Sequence, residues 1–171
     1  MNLKDELRHV MDFPTEGIDF IDITTVLGNA EALKKAIDEM IAETRGFGDY
    51  AVVVGAESRG FIFGTPIAYA EGKAFVPVRK KGKLPAETIS AEYDLEYGTD
   101  ILEIHADAVK PGQKVVVVDD LLATGGTAKA NIELVEKLGG EVVGLLYFIE
   151  LEFLNGRDKI GDYPVKSILK F

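Results

Sequence analysis

The sequence contains no cysteine, so disulfides and thiolate chemistry are excluded at the outset. It has two histidines, His9 and His105, too few and too dispersed for a zinc site, so any metal has to be bound by oxygen. No apolar run approaches the length of a membrane span, and Met1 to His9 is charged, without the apolar core of a signal peptide. A cytoplasmic setting with no membrane partner is expected. Positive charge is scarce: 19 Lys and Arg stand against 29 Asp and Glu, a formal charge of -10 at pH 7. That balance opposes nonspecific association with a phosphate backbone, so nucleic acid is not an expected partner. Low-complexity tracts and fixed-period repeats are missing too. What remains is 171 residues, 47% of them hydrophobic, which suits one ordinary domain with a sizeable core.

The most informative stretch runs from Lys114 to Thr127. Val115, Val116, Val117 and Val118 do not alternate with polar residues, so they predict a strand buried on both faces, as in the middle of a helix-covered parallel sheet. Asp119 and Asp120 follow; two carboxylates at the end of such a strand belong at the carboxyl edge of the sheet, where α/β proteins bind ligands. Then come Leu121, Leu122, Ala123, Thr124, Gly125, Gly126 and Thr127, and a helical pattern with Ala128, Ile132, Val135 and Leu138 on one face. The first N–H groups of that helix, with the hydroxyls of Thr124 and Thr127, form a site for a phosphate group. Carboxylates beside a phosphate cradle suit the hydroxyls of a sugar, with a divalent cation to offset charge. The ligand suggested is a phosphorylated sugar.

The remaining pattern alternates strands and helices. Leu3, Leu7, Val10 and Met11 predict a short N-terminal helix, followed by a loop from Phe13 to Thr25 rich in apolar residues, including Phe20 and Ile21. Such a loop plugs a core or clamps a flat heterocycle equally well. Leu33, Ile37, Met40 and Ile41 predict an amphipathic helix from Asn29 to Thr44. Tyr50 to Val54 reads as a strand, Gly55 to Gly60 as a loop, Phe61 to Glu71 as a helix and Ala74 to Val78 as the next strand. The Gly55 to Gly60 spacing resembles a P-loop, but Phe61 stands where the lysine is required. Arg59 is placed in that loop, within reach of ligand. Arg79, Lys80, Lys81 and Lys83 concentrate positive charge just after the following strand, either as a solvated run or as a diphosphate site. Thr88 to Leu95 and Ile101 to Ile104 predict a weakly apolar two-stranded ribbon with Glu96 and Tyr97 near its tip, a candidate lid. Glu141 to Ile149, Gly156 to Ile160 and Val165 to Leu169 complete the pattern as strand, short helix and strand. The expected fold is α/β, a doubly wound parallel sheet in one domain, with an N-terminal hood over about residues 1–28 and a ribbon lid over about 79–105.

On these residues the chain resembles the type I phosphoribosyltransferases. The resemblance is carried by Val115 to Thr127, by Arg59-Gly60-Phe61, by Val78 to Pro85, by Leu95-Glu96-Tyr97-Gly98, and by Phe13-Pro14 with Gly17, Phe20, Asp22 and Ile23. It implies transfer of a phosphoribosyl group from phosphoribosyl pyrophosphate to a purine, with Mg²⁺ carried mainly by the substrate. Adenine is the expected base; hypoxanthine, guanine or xanthine are the alternatives, and a non-catalytic nucleotide sensor is the reading from another class. The resemblance assigns the 5-phosphate to Ala123, Thr124, Gly125, Gly126 and Thr127, the ribose hydroxyls to Asp119 and Asp120, and the pyrophosphate to Arg59, Arg79, Lys80 and Lys83. It assigns the base to Phe20, Ile21 and Leu121, proton movement at the purine to Glu96, and assembly to a homodimer. One position departs: the family commonly reads Phe-Arg-Asp-Ile where this chain has Phe20-Ile21-Asp22-Ile23.

Overall fold

Residues Met1–Glu39 and Met40–Phe171 pack as two units in the computed structural model, which describes residues 1–95 and 98–171 and, of Leu95, the backbone only. The first unit departs from the expected helix and loop. After one 3₁₀ turn, Leu3–Glu6, the chain extends as β1 (Arg8–Met11), reverses, and returns antiparallel as β2 (Asp19–Asp22), with Arg8 opposite Asp22 and Met11 opposite Asp19. Charge pairing explains why strand wins over helix here. The Arg8 guanidinium reaches the Asp22 carboxylate at 2.8 and 2.6 Å, and His9 Nδ1 lies 2.8 Å from Asp19 Oδ2. Both pairs are cross-strand contacts that a helix over residues 3–11 would forfeit. The Thr24 N–H and hydroxyl also donate to Asp22, and these bonds, with Arg8, hold its carboxyl below the ordinary value against the effect of burial.

A single helical turn, α1 (Thr24–Leu27), leads to α2 (Ala30–Thr44). Asn29 starts α2 by accepting from the N–H groups of Glu31 and Ala32 through its side-chain oxygen, at 3.0 and 3.1 Å. The buried stripe runs through Ala32, Ala36, Met40 and Thr44, while Leu33, Ile37 and Ile41 are half-buried. The helix is as expected, but its inner face is turned toward the small residues.

The second unit is the sheet. Its elements are β3 (Val52–Ala56), α3 (Arg59–Glu71), β4 (Ala74–Lys80), β5 (Thr88–Leu95), β6 (Gly98–His105), β7 (Lys114–Leu122), α4 (Gly126–Lys137), β8 (Glu141–Glu150), α5 (Arg157–Ile160) and β9 (Val165–Lys170). The seven strands lie in the order β5-β6-β4-β3-β7-β8-β9, with β4, β3, β7, β8 and β9 mutually parallel. In the chain order of these five, β3 comes first, yet it sits between the second, β4, and the third, β7. The connections therefore diverge between β3 and β7, and the crevice outside the carboxyl ends of those two strands is where doubly wound sheets take ligands.

Val115 to Val118 are fully buried on β7, as their composition predicted. Val115 and Val117 join a core with Ala128, Ile132 and Val135 of α4. Val116 and Val118 face the opposite side, where the rings of Phe63 on α3 and Phe148 on β8 lie 5.1 Å apart. Each buried aliphatic side chain contributes about 1.5–3 kcal/mol, so these layers fix β7 firmly.

Two boundaries move in ways that affect the site. Glu57 N–H donates to Val78 O at 2.9 Å, which keeps β3 and β4 paired to Ala56; α3 then begins at Arg59, so Arg59 stands in a helix's first turn and not in a loop. Pairing of Arg79 with Glu103 and of Lys80 with Leu102 extends β4 to Lys80, so these two cations lie on a strand. The ribbon also differs from the weakly apolar appendage expected. Ala91, Leu102 and Ile104 are buried in the same core as α4, and Lys137 Nζ donates to Ser90 O at 3.0 Å. Among the described residues no helix is long and apolar enough to cross a membrane.

Candidate active site

The strand β7 continues past its valines to Leu122, so Asp119 and Asp120 are strand residues at its carboxyl end, and the loop proper is Ala123 to Gly125. Gly125 ends the loop with φ +89°, in the left-handed region, and no side chain caps α4 there. Thr124 is therefore not a helix cap. Leu151 N–H donates to Leu122 O at 2.9 Å, tying the end of β7 to the segment after β8.

That segment supplies a partner that the sequence pattern did not reveal. A methyl group at Gly156 would stand 2.5 Å from Ala123 O and 2.9 Å from Leu122 Cδ1, and one at Gly125 would run into the Gly156 carbonyl. Two glycines back to back thus let the chain behind the loop approach its backbone directly. Arg157 anchors the rear chain by a two-pronged contact with Glu150, Nε to Oε1 at 2.6 Å and Nη2 to Oε2 at 2.8 Å. Glu150 is only 4% exposed. The Arg157 bonds, helped by the Ser167 hydroxyl, hold its carboxyl below the ordinary value against burial. In sequence, Gly156 reads only as the start of a short helix, and nothing local marks what it leans on.

The loop encloses a cavity of about 70 Å³ lined by Asp119, residues Leu121 through Ala128, and Tyr147. A single water needs roughly 10–15 Å³, so several oxygen-sized atoms fit. Beside it a wider cleft of about 450 Å³ is lined by Glu57, Ser58, Arg59, Lys80, Asp119, Asp120, Leu121, Ala123 and Thr127. The two share Asp119, Leu121, Ala123 and Thr127, and the cleft lies between the ends of β3 and β7.

Charge in the cleft is arranged in pairs. Asp120 is 6% exposed, with Oδ2 2.6 Å from Arg59 Nε. Its N–H donates to Asp119 Oδ1 at 2.8 Å. Burial, and then the neighbouring Asp120 charge, push the Asp119 carboxyl well above the ordinary value, only partly offset by that bond and by Arg59. The Arg59 guanidinium thus sits against the two adjacent carboxyls, in direct contact with that of Asp120. Glu57 accepts from Lys80 N–H at 2.8 Å and from Arg79 Nε at 3.3 Å. Lys80 borders the cleft, with Nζ 3.9 Å from Asp100 Oδ2.

Of the residues anticipated from sequence, Asp119, Asp120, Arg59, Lys80, Leu121 and the Ala123 to Thr127 loop converge here. Arg79 is turned to Glu57, and Lys83 lies in an exposed turn with its N–H bonded to Lys80 O at 3.3 Å; neither borders either cavity. Glu57 and Ser58 line the cleft without having been anticipated. Phe20 and Ile21 belong to the first unit as neighbours on β2, so their side chains project to opposite faces of the hairpin. The Phe20 ring meets Phe13 edge to face at 5.2 Å, and Ile21 lies opposite His9. Glu96 and Tyr97 lie outside the described residues.

The donor set bears on magnesium. Among the described residues no three His, Cys, Asp or Glu side chains group closely enough to hold an ion. Asp119 and Asp120 are the carboxylates at hand, and Asp120 is paired with Arg59. This set fits an ion that arrives on substrate oxygens and borrows a carboxylate or two, the habit of Mg²⁺ at phosphorylated substrates.

Residues 24–170 match the family described as Phosphoribosyl transferase domain. The adenine phosphoribosyltransferase of Acetivibrio thermocellus is 66% identical over 171 residues, which is 100% of each chain. The crystal structure of adenine phosphoribosyltransferase from Thermoanaerobacter pseudethanolicus superimposes with a TM-score of 0.94 at 54% identity, covering 99% of this chain and 98% of that one. The Saccharomyces cerevisiae enzyme, complexed with an iminoaltritol bisphosphate and adenine, superimposes with a TM-score of 0.90 at 43% identity, covering 96% and 95%.

Proposed function

The chain belongs to the phosphoribosyl transferase family, and from that premise we propose that it converts adenine and phosphoribosyl pyrophosphate into AMP and pyrophosphate. One observation carries the assignment of ends: a cavity sized for a few oxygens at the start of α4 shares its wall with a cleft bordered by Arg59 and Lys80. A substrate with a monophosphate at one end, a diol in the middle and a diphosphate at the other matches that sequence of surfaces. The Ala123 to Thr127 loop takes the 5-phosphate, Asp119 and Asp120 take the ribose hydroxyls, and Arg59 and Lys80 take the pyrophosphate.

In the reaction the bond from the anomeric carbon to the pyrophosphate oxygen breaks, the bond to N9 of adenine forms, and N9 gives up its proton. The protein's contribution is positioning and charge. Holding the phosphate and the diol fixes the ribosyl carbon between leaving group and base. Arg59 leaves Asp120 for the departing pyrophosphate, and Asp120 is then free to accept from ribose. Bound Mg²⁺ supplies further charge for the pyrophosphate oxygens. Glu96 is the proposed acceptor of the purine proton, on the strength of the family resemblance.

Phe20, Ile21 and Leu121 are the proposed base contacts, Phe20 through its ring and Ile21, whose side chain lies on the other face of β2, through its backbone. Adenine over other purines is supported by the identity to adenine-named relatives across the whole chain. A homodimer is part of the same proposal, since Arg79 and Lys83 border neither cavity of their own chain and are available to a partner subunit. A cytoplasmic setting accords with an acidic chain acting on soluble substrates.

The test is release of pyrophosphate with magnesium, phosphoribosyl pyrophosphate and a panel of purines. Adenine should exceed hypoxanthine, guanine and xanthine in kcat/KM by two orders of magnitude or more. Preference for an oxopurine would overturn the assignment of base, and no release with any purine would overturn transfer itself.

A further inference from the structure

Tyr147 occupies the position on β8 paired with Asp119 in the parallel register. It is 2% exposed, it lines the cavity enclosed by the Ala123 to Thr127 loop, and its hydroxyl has no hydrogen-bond partner among the described residues. Buried phenols nearly always find a partner, because an unpaired hydroxyl forfeits its bonds to water and gains nothing. The next residue, Phe148, is equally buried on β8 and fills its place with a plain ring, so a phenyl is enough for packing on this strand. A buried tyrosine that lines a small polar cavity at a helix start and whose hydroxyl is orphaned carries a donor waiting for an acceptor. Burial, then the charges of Asp119 and Glu150, push the phenol's ionisation well above its ordinary range, so it keeps its proton.

We propose that the Tyr147 hydroxyl donates a hydrogen bond to the 5-phosphate, forming the floor of a site whose walls are backbone N–H groups and threonine hydroxyls. This rests on the reading of the Ala123 to Thr127 loop given above. It adds a donor that comes from a different strand and is paid for by the empty protein, in which the hydroxyl is unmatched. Tyr147 is thus a binding residue that favours the phosphorylated sugar over the bare one and touches no reacting atom.

The test is Tyr147→Phe, with binding measured calorimetrically for AMP, ribose 5-phosphate and inorganic pyrophosphate, and with thermal midpoints of the ligand-free proteins. The proposal predicts about tenfold weaker binding of AMP and of ribose 5-phosphate, unchanged pyrophosphate binding, and a ligand-free midpoint equal to or above that of the wild type. A residue serving only packing would not move the two phosphomonoesters alone. The ³¹P resonance of bound AMP should also shift between the two proteins. Unchanged AMP affinity, an unchanged resonance, equal weakening of all three ligands, or a lowered ligand-free midpoint would each overturn the role of Tyr147. Failure of the wild type to bind AMP or ribose 5-phosphate would instead strike the reading of the loop itself.

Discussion

The phosphate end and the base end of the proposed site are built by opposite means. The loop from Ala123 to Gly126 is backbone, fixed by a fully buried strand before it, a helix after it and Gly156 behind it. The proposed base contact at Phe20 is a side chain on a short hairpin, half-buried and resting on the half-exposed ring of Phe13. A surface made of N–H groups demands glycine and a rigid frame, and tolerates little else. A surface made of side chains is open to substitution, which accords with Ile21 replacing the arginine common in the family.

If that contrast is correct, changes at the phosphate end should cost more than changes at the base end. The largest effect is expected for Gly125→Ala, which combines a left-handed φ with a methyl driven into the Gly156 carbonyl. Steady-state kinetics should show kcat/KM for phosphoribosyl pyrophosphate falling by about two orders of magnitude, roughly 2.7 kcal/mol of lost transition-state stabilisation. Gly156→Ala attacks the same loop from the rear and should raise KM for phosphoribosyl pyrophosphate by about tenfold, with a smaller change in KM for adenine. An equal rise in both would mean that Gly156 supports the fold in general and not the loop.

At the other end, Phe20→Ala should raise KM for adenine by roughly fivefold, about 1 kcal/mol, and leave that for phosphoribosyl pyrophosphate unchanged. Arg157→Met should alter kinetics only a few-fold but lower stability by about 2 kcal/mol, because it strands the buried Glu150 carboxylate. The sign of its pH dependence follows from Glu150 being held below its unfolded value, about 4.3. The pair's contribution is present above that value and is lost as pH falls through the lower, folded one. Denaturant titrations should therefore find wild type and variant well separated at pH 7 and converging in acid. Ile21→Ala is expected to be the mildest, within about twofold in either KM, and a larger effect on adenine would reassign the base-facing side of β2.

The same contrast explains what could be read from sequence. Val115 to Val118, the acid pair and Thr124-Gly125-Gly126-Thr127 announce a buried strand and a tight loop because only those residue types tolerate those positions. The parallel order of strands followed from unbroken apolar runs alternating with helical patterns. The hairpin reads as helix and loop in the sequence because four-residue strands have no room for a period, and the pairing of Arg8 with Asp22 is invisible until the chain has turned. The ribbon reads as weakly apolar because Ala91, Leu102 and Ile104 are spread over two strands that share one face only after pairing. Gly156 lies 31 positions from Gly125, so its contact is tertiary and leaves no local trace. The pairing of Arg59 with Asp120 likewise joins the start of α3 to the end of β7, which only the sheet order brings together.

The central claim is that the start of α4 holds the 5-phosphate while the acid pair holds the sugar. A crystal structure of the protein with AMP tests it most directly. The account predicts the phosphate against the N–H groups of residues 124–127 and a ribose hydroxyl within hydrogen-bond distance of Asp119 or Asp120. A phosphate seated instead between Arg59 and Lys80, with the Ala123 to Thr127 loop facing solvent, would contradict it.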